Sequence, residues 1–216
     1  MTDIITAEFE FPTEAARAAL TTSRVAVDFH IVTQFAANKI RQKAVAGKTC
    51  RLRWDEWTAT RIKAASEDWK DPTAPDIEKR KKMQPYEVGA ALAGGVRSAD
   101  TVEAVTWICL DFDKGVTAAD YDAMATTLHG LDLAYLVTES SSSTTDKVKF
   151  HAYVQIKPLA VAGPSGDKLD SKQRRLWVES TYRPAYHAVA TALRKLANIS
   201  ASYDPAACDI ARAFFI

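Results

Sequence analysis

Two acidic residues near the middle of the chain, Asp111 and Asp113, have the type and spacing needed to bind a cation. They close the segment 105–110, a short and almost continuously apolar run that is typical of a strand covered on both faces. Residues two apart on a strand point to the same face, so we expect both carboxylates at one end of a sheet. A divalent cation relieves the repulsion between them, and oxygen ligands favour Mg²⁺ or Mn²⁺, which accompany phosphate-bearing substrates. The alternative is a pair of solvated loop aspartates.

A lysine and a histidine lie on one face of a later predicted strand, 148–156. Apolar residues alternate there with polar ones, and the polar face carries Lys149, His151, Tyr153 and Gln155. If this strand lies beside the first one, Lys149 can bind a phosphate as a point charge, and His151 can donate a hydrogen bond to a phosphate oxygen. The alternative is a purely structural His151.

A third acidic residue, Asp204, and an arginine, Arg212, follow near the end of the chain. In a two-metal site, acidic residues hold two cations that activate the attacking hydroxyl and stabilise the leaving group, so Asp204 is a candidate third carboxylate. The guanidinium of Arg212 is suited to hold triphosphate oxygens. Alternatively, Arg212 pairs with Asp209, three residues away on one helical turn.

The elements next to the two acidic residues are predicted from local signals. A helix should begin at about residue 118, with Thr117 as its N-cap and Asp120 completing a capping pair. Gly130 is well placed to end this helix. The segment 133–138 is predicted to be a second strand.

Other segments are predicted to be mainly helical. Residues 172–197 carry a helical apolar stripe, which Pro184 should break or restart. Residues 12–65 are rich in alanine and contain few helix breakers, so we expect helices there as well. The chain ends on two phenylalanines and an isoleucine at 214–216, a pattern like a strand cut short, and we therefore expect a longer protein.

The composition is that of an ordinary globular protein, with 216 residues, 47% hydrophobic and 25% charged. No run is long and apolar enough to cross a membrane, and the acidic start lacks the order of a signal peptide, so we expect a cytoplasmic protein. The three cysteines, Cys50, Cys109 and Cys208, are far apart. This spacing argues against a cysteine-rich zinc site or a disulfide framework and favours buried, reduced thiols.

The net charge is only +1, but basic residues cluster in the ranges 31–63 and 79–82. Such clusters can neutralise phosphates, and the alternative is a solvated helical face. Candidate DNA contacts from these ranges are Arg51, Arg53, Arg80 and Lys82.

Three segments together resemble the motifs of the archaeo-eukaryotic primase superfamily, and most of all its phage and plasmid branch. Members share an apolar strand ending in Asp-x-Asp, a strand with a small or basic residue two positions before a histidine, and a later acidic residue. The corresponding segments are 108–113, 149–154 and 203–205. The Ser/Thr-rich stretch 138–145 before the second motif is also similar to that branch.

The resemblance covers roughly residues 80–216 and implies an α+β fold. Its catalytic sheet would be RNA-recognition-like and mostly antiparallel, with an α-rich N-terminal region, residues 1–79, packed on it. The implied activity is template-directed nucleotidyl transfer by a DNA primase or DNA polymerase with two Mg²⁺ or Mn²⁺ ions per site and no zinc. The implied partners are a single-stranded DNA template, NTP or dNTP and a helicase domain further along the protein, with a bacterial host cell as the location if a phage encodes it.

The resemblance also implies a role for each site residue. It assigns the metal ions to Asp111, Asp113 and Asp204. It assigns the incoming nucleotide to His151, Lys149, Arg212 and Ser142. Two departures stand out, since many members have serine at the position of Lys149, and the zinc-binding insert of some members is absent, which leaves template handling to the basic N-terminal region.

Two other classes of protein fit some of the pattern. A phosphohydrolase of the haloacid dehalogenase type has a similar motif to 110–117, with Asp111 as covalent nucleophile and Asp113 as acid or base. About a hundred residues precede the motif here, although it normally opens that domain.

A non-catalytic nucleic-acid-binding module would instead use the basic clusters and the aromatic side chains of Trp54, Trp57 and Tyr153. Such a module does not explain three acidic residues placed to converge, because carboxylates near a binding groove repel the phosphates of DNA unless a metal ion is present. Trp54 and Trp57, three apart, are also expected in the core of a helix.

Overall fold

A computed structural model of the protein describes residues 27–32, 48–52, 54, 57–59, 86–93, 98–140, 142–212 and 214–215. The described residues form an α+β fold. The strands are β1 (Val27–Val32), β2 (Lys48–Leu52), β3 (Tyr86–Val88), β4 (Ala90–Leu92), β5 (Val102–Phe112), β6 (Tyr135–Glu139), β7 (Phe150–Ala160) and β8 (Phe214–Phe215). The helices are α1 (Ala118–Gly130), α2 (Ser171–Trp177) and α3 (Arg183–Leu196). None of the helices in these stretches of the chain is long and apolar enough to span a bilayer.

The strands form two antiparallel four-stranded sheets among the described residues. The first has the order β2-β1-β3-β8, and the second has the order β4-β5-β7-β6. Only Gly89 separates β3 from β4, so one stretch of chain contributes a strand to each sheet. The mostly antiparallel sheet expected from the sequence is therefore present, with additional short strands.

The second sheet separates two sets of buried side chains. From Ile108 to Phe112 in β5 and from Phe150 to Ile156 in β7, the even-numbered residues, such as Leu110 and Val154, pack with α1 and α3 in the larger core. The residues between them point to the opposite face, where Trp107 and Tyr153 pack with Trp57 in a smaller aromatic cluster. The alternation predicted for 148–156 is confirmed, because its apolar set lies on the helix side.

The helices follow the local signals closely. The Thr117 side chain accepts a hydrogen bond from the Asp120 backbone N–H, while the Asp120 carboxylate accepts one from the Thr117 backbone N–H. This capping box starts α1 where it was predicted. The predicted restart at Pro184 is also confirmed, because a turn of π-helix covers Val178–Tyr182 and Pro184 lies in the first turn of α3.

The N-terminal region contains strands where helices were predicted. Within 12–65, the described residues include β1 and β2 as well as helical residues at 54 and 57–59. In β1 the large apolar residues Val27, Phe29 and Ile31 recur at every second position, a strand period that outweighs the alanine content nearby. The helix prediction is wrong over these two strands, and most of the predicted N-terminal region, residues 1–79, lies outside the described residues.

Gly89, which lies between β3 and β4, permits the chain to approach β5 closely at this point. A Cβ atom at this position would lie 2.7 Å from both Cδ2 and the carbonyl oxygen of Trp107. Trp107 is itself buried in the aromatic cluster and its backbone belongs to the sheet, so neither atom can move freely.

We expect Gly89→Ala to lower the free energy of unfolding by about 1–3 kcal/mol, the cost of overpacking a dense site. Urea unfolding followed by circular dichroism measures this change. Gly130→Ala is the matched control, because a Cβ there meets nothing within 4 Å and alanine is the better helix former. Equal stability of the two variants would contradict the close approach at Gly89.

Candidate active site

The most buried charged group of the candidate site is Asp111, the penultimate residue of β5, with a side chain 8% exposed. It lies directly opposite His151 of β7 in the strand register. The next pair, Phe112 and Phe150, stacks with ring centroids 4.7 Å apart in the core on the helix side. Asp111 and His151 therefore share the sheet face that points away from the helices.

His151 contacts both the acidic residue and an aromatic one. Its Nε2 atom is 3.4 Å from Oδ1 of Asp111, which is an electrostatic contact longer than an ordinary hydrogen bond. Its Nδ1 atom is 3.1 Å from the hydroxyl of Tyr153, the next residue on the same face. The two ring nitrogens are thus held by groups of different chemistry.

Asp204 reaches the site because its backbone binds the edge of β5. In the described residues, β4 pairs with the beginning of β5, from Val102 to Val105. The backbone N–H of Asp204 donates to the carbonyl of Asp111 at 2.7 Å, and the hydroxyl of Tyr186 donates to the carbonyl of Cys109 at 2.7 Å. These hydrogen bonds fix Asp204 beside Asp111 although 93 positions separate the two in sequence.

Arg212 joins two of the three carboxylates. Its Nη2 atom lies 3.2 Å from Oδ2 of Asp111 and 2.9 Å from Oδ2 of Asp204. Arg212 stands just before β8, which pairs with β3 of the first sheet. The guanidinium therefore binds Asp111 and Asp204 together, which is not the Asp209 pairing considered as the alternative.

Asp113 and Lys149 form a second ion pair on the same side of the sheet. Their charged atoms are 3.6 Å apart, and the Asp113 side chain is 41% exposed, so this pair lies nearer to solvent. The backbone of Lys149 is held by the Ser-rich turn, since it accepts from the Ser140 N–H and donates to the Ser143 hydroxyl. Ser142 lies in this turn with its hydroxyl 3.4 Å from that of Ser140.

The surroundings of Asp111 favour its ionised form. Burial alone raises the pKa of the carboxyl group, but the contact with His151 and the positive charges of Arg212 and Lys149 outweigh it. The net effect holds the pKa of Asp111 below its ordinary value. Asp111 is therefore a carboxylate at neutral pH.

The donor atoms have the chemistry that Mg²⁺ or Mn²⁺ requires. The buried Oδ1 of Asp111 has no hydrogen-bond partner in the described stretches of the chain, and leaving such an acceptor unsatisfied costs about 1–3 kcal/mol. No group of three or more His, Cys, Asp and Glu side chains is already gathered around one point among these residues. Arg212 and Lys149 form ion pairs with the carboxylates and balance part of their negative charge. The carboxylate oxygens are the donor atoms that a divalent cation such as Mg²⁺ or Mn²⁺ prefers.

The structure brings together six of the residues singled out from the sequence: Asp111, Asp113, Lys149, His151, Asp204 and Arg212. Ser142 lies in the turn that holds one of them. Arg51 lies on β2 opposite Asp28 in the register, while Arg53, Arg80 and Lys82 lie outside the described residues. Cys109 and Cys208 are buried thiols outside any disulfide, as expected.

Sequence reasoning did not assign a role in this site to three aromatic residues and a histidine. Tyr153 could have been found, because it follows His151 by two positions on the same strand face. No local sequence pattern marks Tyr186 and His187, since only the tertiary structure brings α3 next to β5 and the 203–205 segment. The His187 ring stacks on Tyr203 and its Nδ1 is 2.8 Å from the Tyr203 hydroxyl, which supports the segment leading into Asp204.

The tryptophans of the N-terminal region belong to the aromatic cluster. Trp54 is 9% exposed and Trp57 is fully buried, and the two rings lie 4.6 Å apart. The prediction that they are core residues is confirmed. Because these rings and that of Tyr153 are covered, they are not available for stacking on bases, so the basic clusters alone remain in support of a non-catalytic binding module.

The described residues thus define an α+β protein with acidic and basic side chains at one end of an antiparallel sheet. No protein-family model matches the chain, and no curated protein matches it. Among solved structures, the chain is similar to the AEP domain of the primase-polymerase of cyanophage S-2L, with 16% identity and a TM-score of 0.36. The similarity covers 91% of this chain and 75% of that one. Similarity at this level does not by itself define a fold or an activity.

Proposed function

We propose that this chain is a template-directed nucleotidyltransferase, a DNA primase or primase-polymerase. The observation that carries the proposal is the arrangement of Asp111 and Asp204 around one guanidinium, with His151 in contact with Asp111. Asp111, His151 and Asp204 come one each from the three segments that resemble the motifs of archaeo-eukaryotic primases. A chance resemblance of three short motifs gives no reason for their side chains to meet.

Asp111, Asp113 and Asp204 are proposed to hold two Mg²⁺ or Mn²⁺ ions. When bound, such ions lower the pKa of the attacking hydroxyl and neutralise charge on the transferred phosphoryl group. Asp111 is suited to the central position because its carboxylate is ionised and largely buried, with one oxygen unsatisfied. Asp113, more exposed, is suited to the solvent side of the site.

The basic side chains are proposed to bind the triphosphate of the incoming nucleotide. Arg212 offers several N–H donors in a fixed plane, and Lys149 offers a point charge at the mouth of the site. His151 would donate from Nε2 to a phosphate oxygen, and Ser142 would contribute its hydroxyl from the adjacent turn. In this role each basic group exchanges a carboxylate partner for a phosphate partner, so no charge is left unpaired.

The template and the wider context are further components of the proposal. Arg51, Arg53, Arg80 and Lys82 are proposed to contact the phosphates of a single-stranded DNA template. A helicase domain in the full protein, and a place in the cytoplasm of a bacterial host if a phage encodes it, are proposed from the phage and plasmid branch that the motifs resemble.

Incorporation of labelled nucleotides on a single-stranded DNA template tests the function. The assay is run with and without a primer, in Mn²⁺, in Mg²⁺ and in EDTA. We expect metal-dependent products, and the lane without primer reports whether the protein also starts chains. Release of phosphate from a small phosphoester without any polymer would instead support the phosphohydrolase, and tight DNA binding without either product would support a binding module.

A further inference from the structure

We propose that Tyr153 is a positioning residue that holds the His151 ring with Nε2 toward Asp111, so that Nε2 carries the proton offered to the substrate. This inference rests on the proposed function for its kinetic consequence, but its structural component can be measured on the protein alone. It starts from the contact of 3.1 Å between the Tyr153 hydroxyl and Nδ1 of His151.

The Tyr153 ring is held more firmly than the histidine that it contacts. It is fully buried, and its ring meets those of Trp57 and Trp107 edge-on, with centroids 5.7 Å and 5.3 Å away. Such packing leaves the phenol a single position, and a buried hydroxyl is stable only with a hydrogen-bond partner. The aromatic cluster therefore presents the hydroxyl to His151 at a fixed place.

The direction of the hydrogen bond follows from Asp111. A neutral imidazole has one N–H and one lone pair, and the histidine ring has Asp111 at Nε2 and Tyr153 at Nδ1. A lone pair on Nε2 would face the ionised carboxylate at 3.4 Å and be repelled, whereas an N–H on Nε2 is attracted. Nδ1 is then the acceptor, and the Tyr153 O–H is its donor.

This arrangement suits the binding of a nucleotide. With the proton on Nε2, the held ring presents a donor that a phosphate oxygen can accept in place of Asp111, and no proton exchange between the two ring nitrogens is needed first. Without the phenol, the ring can rotate and populate the other tautomer, which offers a phosphate only a lone pair. Loss of the neutral hydrogen bond between Tyr153 and His151 is expected to weaken nucleotide binding about threefold to tenfold, the range that one such hydrogen bond contributes.

The first test is the nitrogen NMR spectrum of the histidine side chains, recorded about two pH units above the ordinary histidine pKa. The chain has four histidines, and the spectrum of His151→Gln identifies the signals of His151. We expect the wild-type protein to show a protonated Nε2 and an unprotonated Nδ1. The opposite tautomer in the wild-type protein would overturn the proposal without any need for a variant at Tyr153.

The second test compares Tyr153→Phe with Tyr135→Phe, the same change on the other face of the same sheet, where Tyr135 packs with the larger core. For Tyr153→Phe we expect mixed tautomers of His151 and a KM for nucleotide raised about threefold to tenfold, with kcat changed less. Tyr135→Phe should alter neither. An unchanged tautomer and an unchanged KM in Tyr153→Phe would refute the positioning role. Failure of the wild-type protein to incorporate nucleotide would refute the proposed function, and the NMR comparison would then test the positioning role by itself.

Discussion

Asp111→Asn is expected to reduce nucleotide incorporation by about 10³-fold or more, since a metal-assisted phosphoryl transfer loses most of its rate when a central carboxylate ligand becomes neutral. Asparagine has the same shape as aspartate, so the packing at the end of β5 should persist. Single-turnover incorporation in Mn²⁺ measures the effect. Binding of single-stranded template, followed by fluorescence anisotropy in EDTA, should stay close to the wild-type value because it does not depend on the metal ions.

Asp122→Asn is the matched control for this change, because Asp122 is an exposed residue of α1, on the helix side of the sheet. It should retain wild-type activity. Full activity in Asp111→Asn would refute the role of Asp111 in metal binding. Loss of both incorporation and template binding would mean that the substitution disturbs the fold, which circular dichroism would reveal.

Arg212→Gln is expected to lower the free energy of unfolding of the metal-free protein and to increase the stabilisation that added metal gives. The guanidinium is the shared partner of Asp111 and Asp204, and its removal leaves two carboxylates facing each other. The loss in the free energy of unfolding should be about 1–3 kcal/mol, less than for a wholly buried pair, because Arg212 and Asp204 are 28% and 29% exposed.

The rise in melting temperature on adding Mn²⁺ should be larger in Arg212→Gln than in the wild-type protein, since the cation no longer competes with the guanidinium for the carboxylates. The KM for nucleotide should increase at the same time, because a triphosphate loses a donor. Thermal unfolding with and without Mn²⁺ measures the first effect. Arg175→Gln, an exposed change on α2, is the control, and an equal Mn²⁺ response in all three proteins would contradict the competition.

The features of the site that lie on single strands could be predicted from the sequence. The alternation in 148–156 placed His151 and Lys149 on one face, and the apolar run before Asp111 indicated its strand. The capping residues of α1 were also readable, because a cap depends on side chains three positions apart. Local periodicity carries this kind of information directly.

The contacts that complete the site depend on long-range geometry. Asp204 meets Asp111 through a backbone hydrogen bond to a strand edge, and any residue other than proline could supply that N–H group. The strands β3 and β4 are three residues each, too short for periodicity to be recognised. Strands β1 and β2 were missed for a different reason, since alanine-rich surroundings hid the alternation of β1, whereas the strand expected at 214–216 is present as β8.

The capped edge of β5 also bears on how the protein behaves at high concentration. An open strand edge with free carbonyl groups is a template on which a second molecule can add a strand and start an aggregate. Here the hydroxyl of Tyr186 and the backbone N–H of Asp204 occupy two carbonyl groups in succession along that edge. The hydrogen bonds that bring the acidic residues together therefore also hinder the pairing of this edge with a second molecule. Substitutions that detach the 203–205 segment from β5 should lower solubility together with activity.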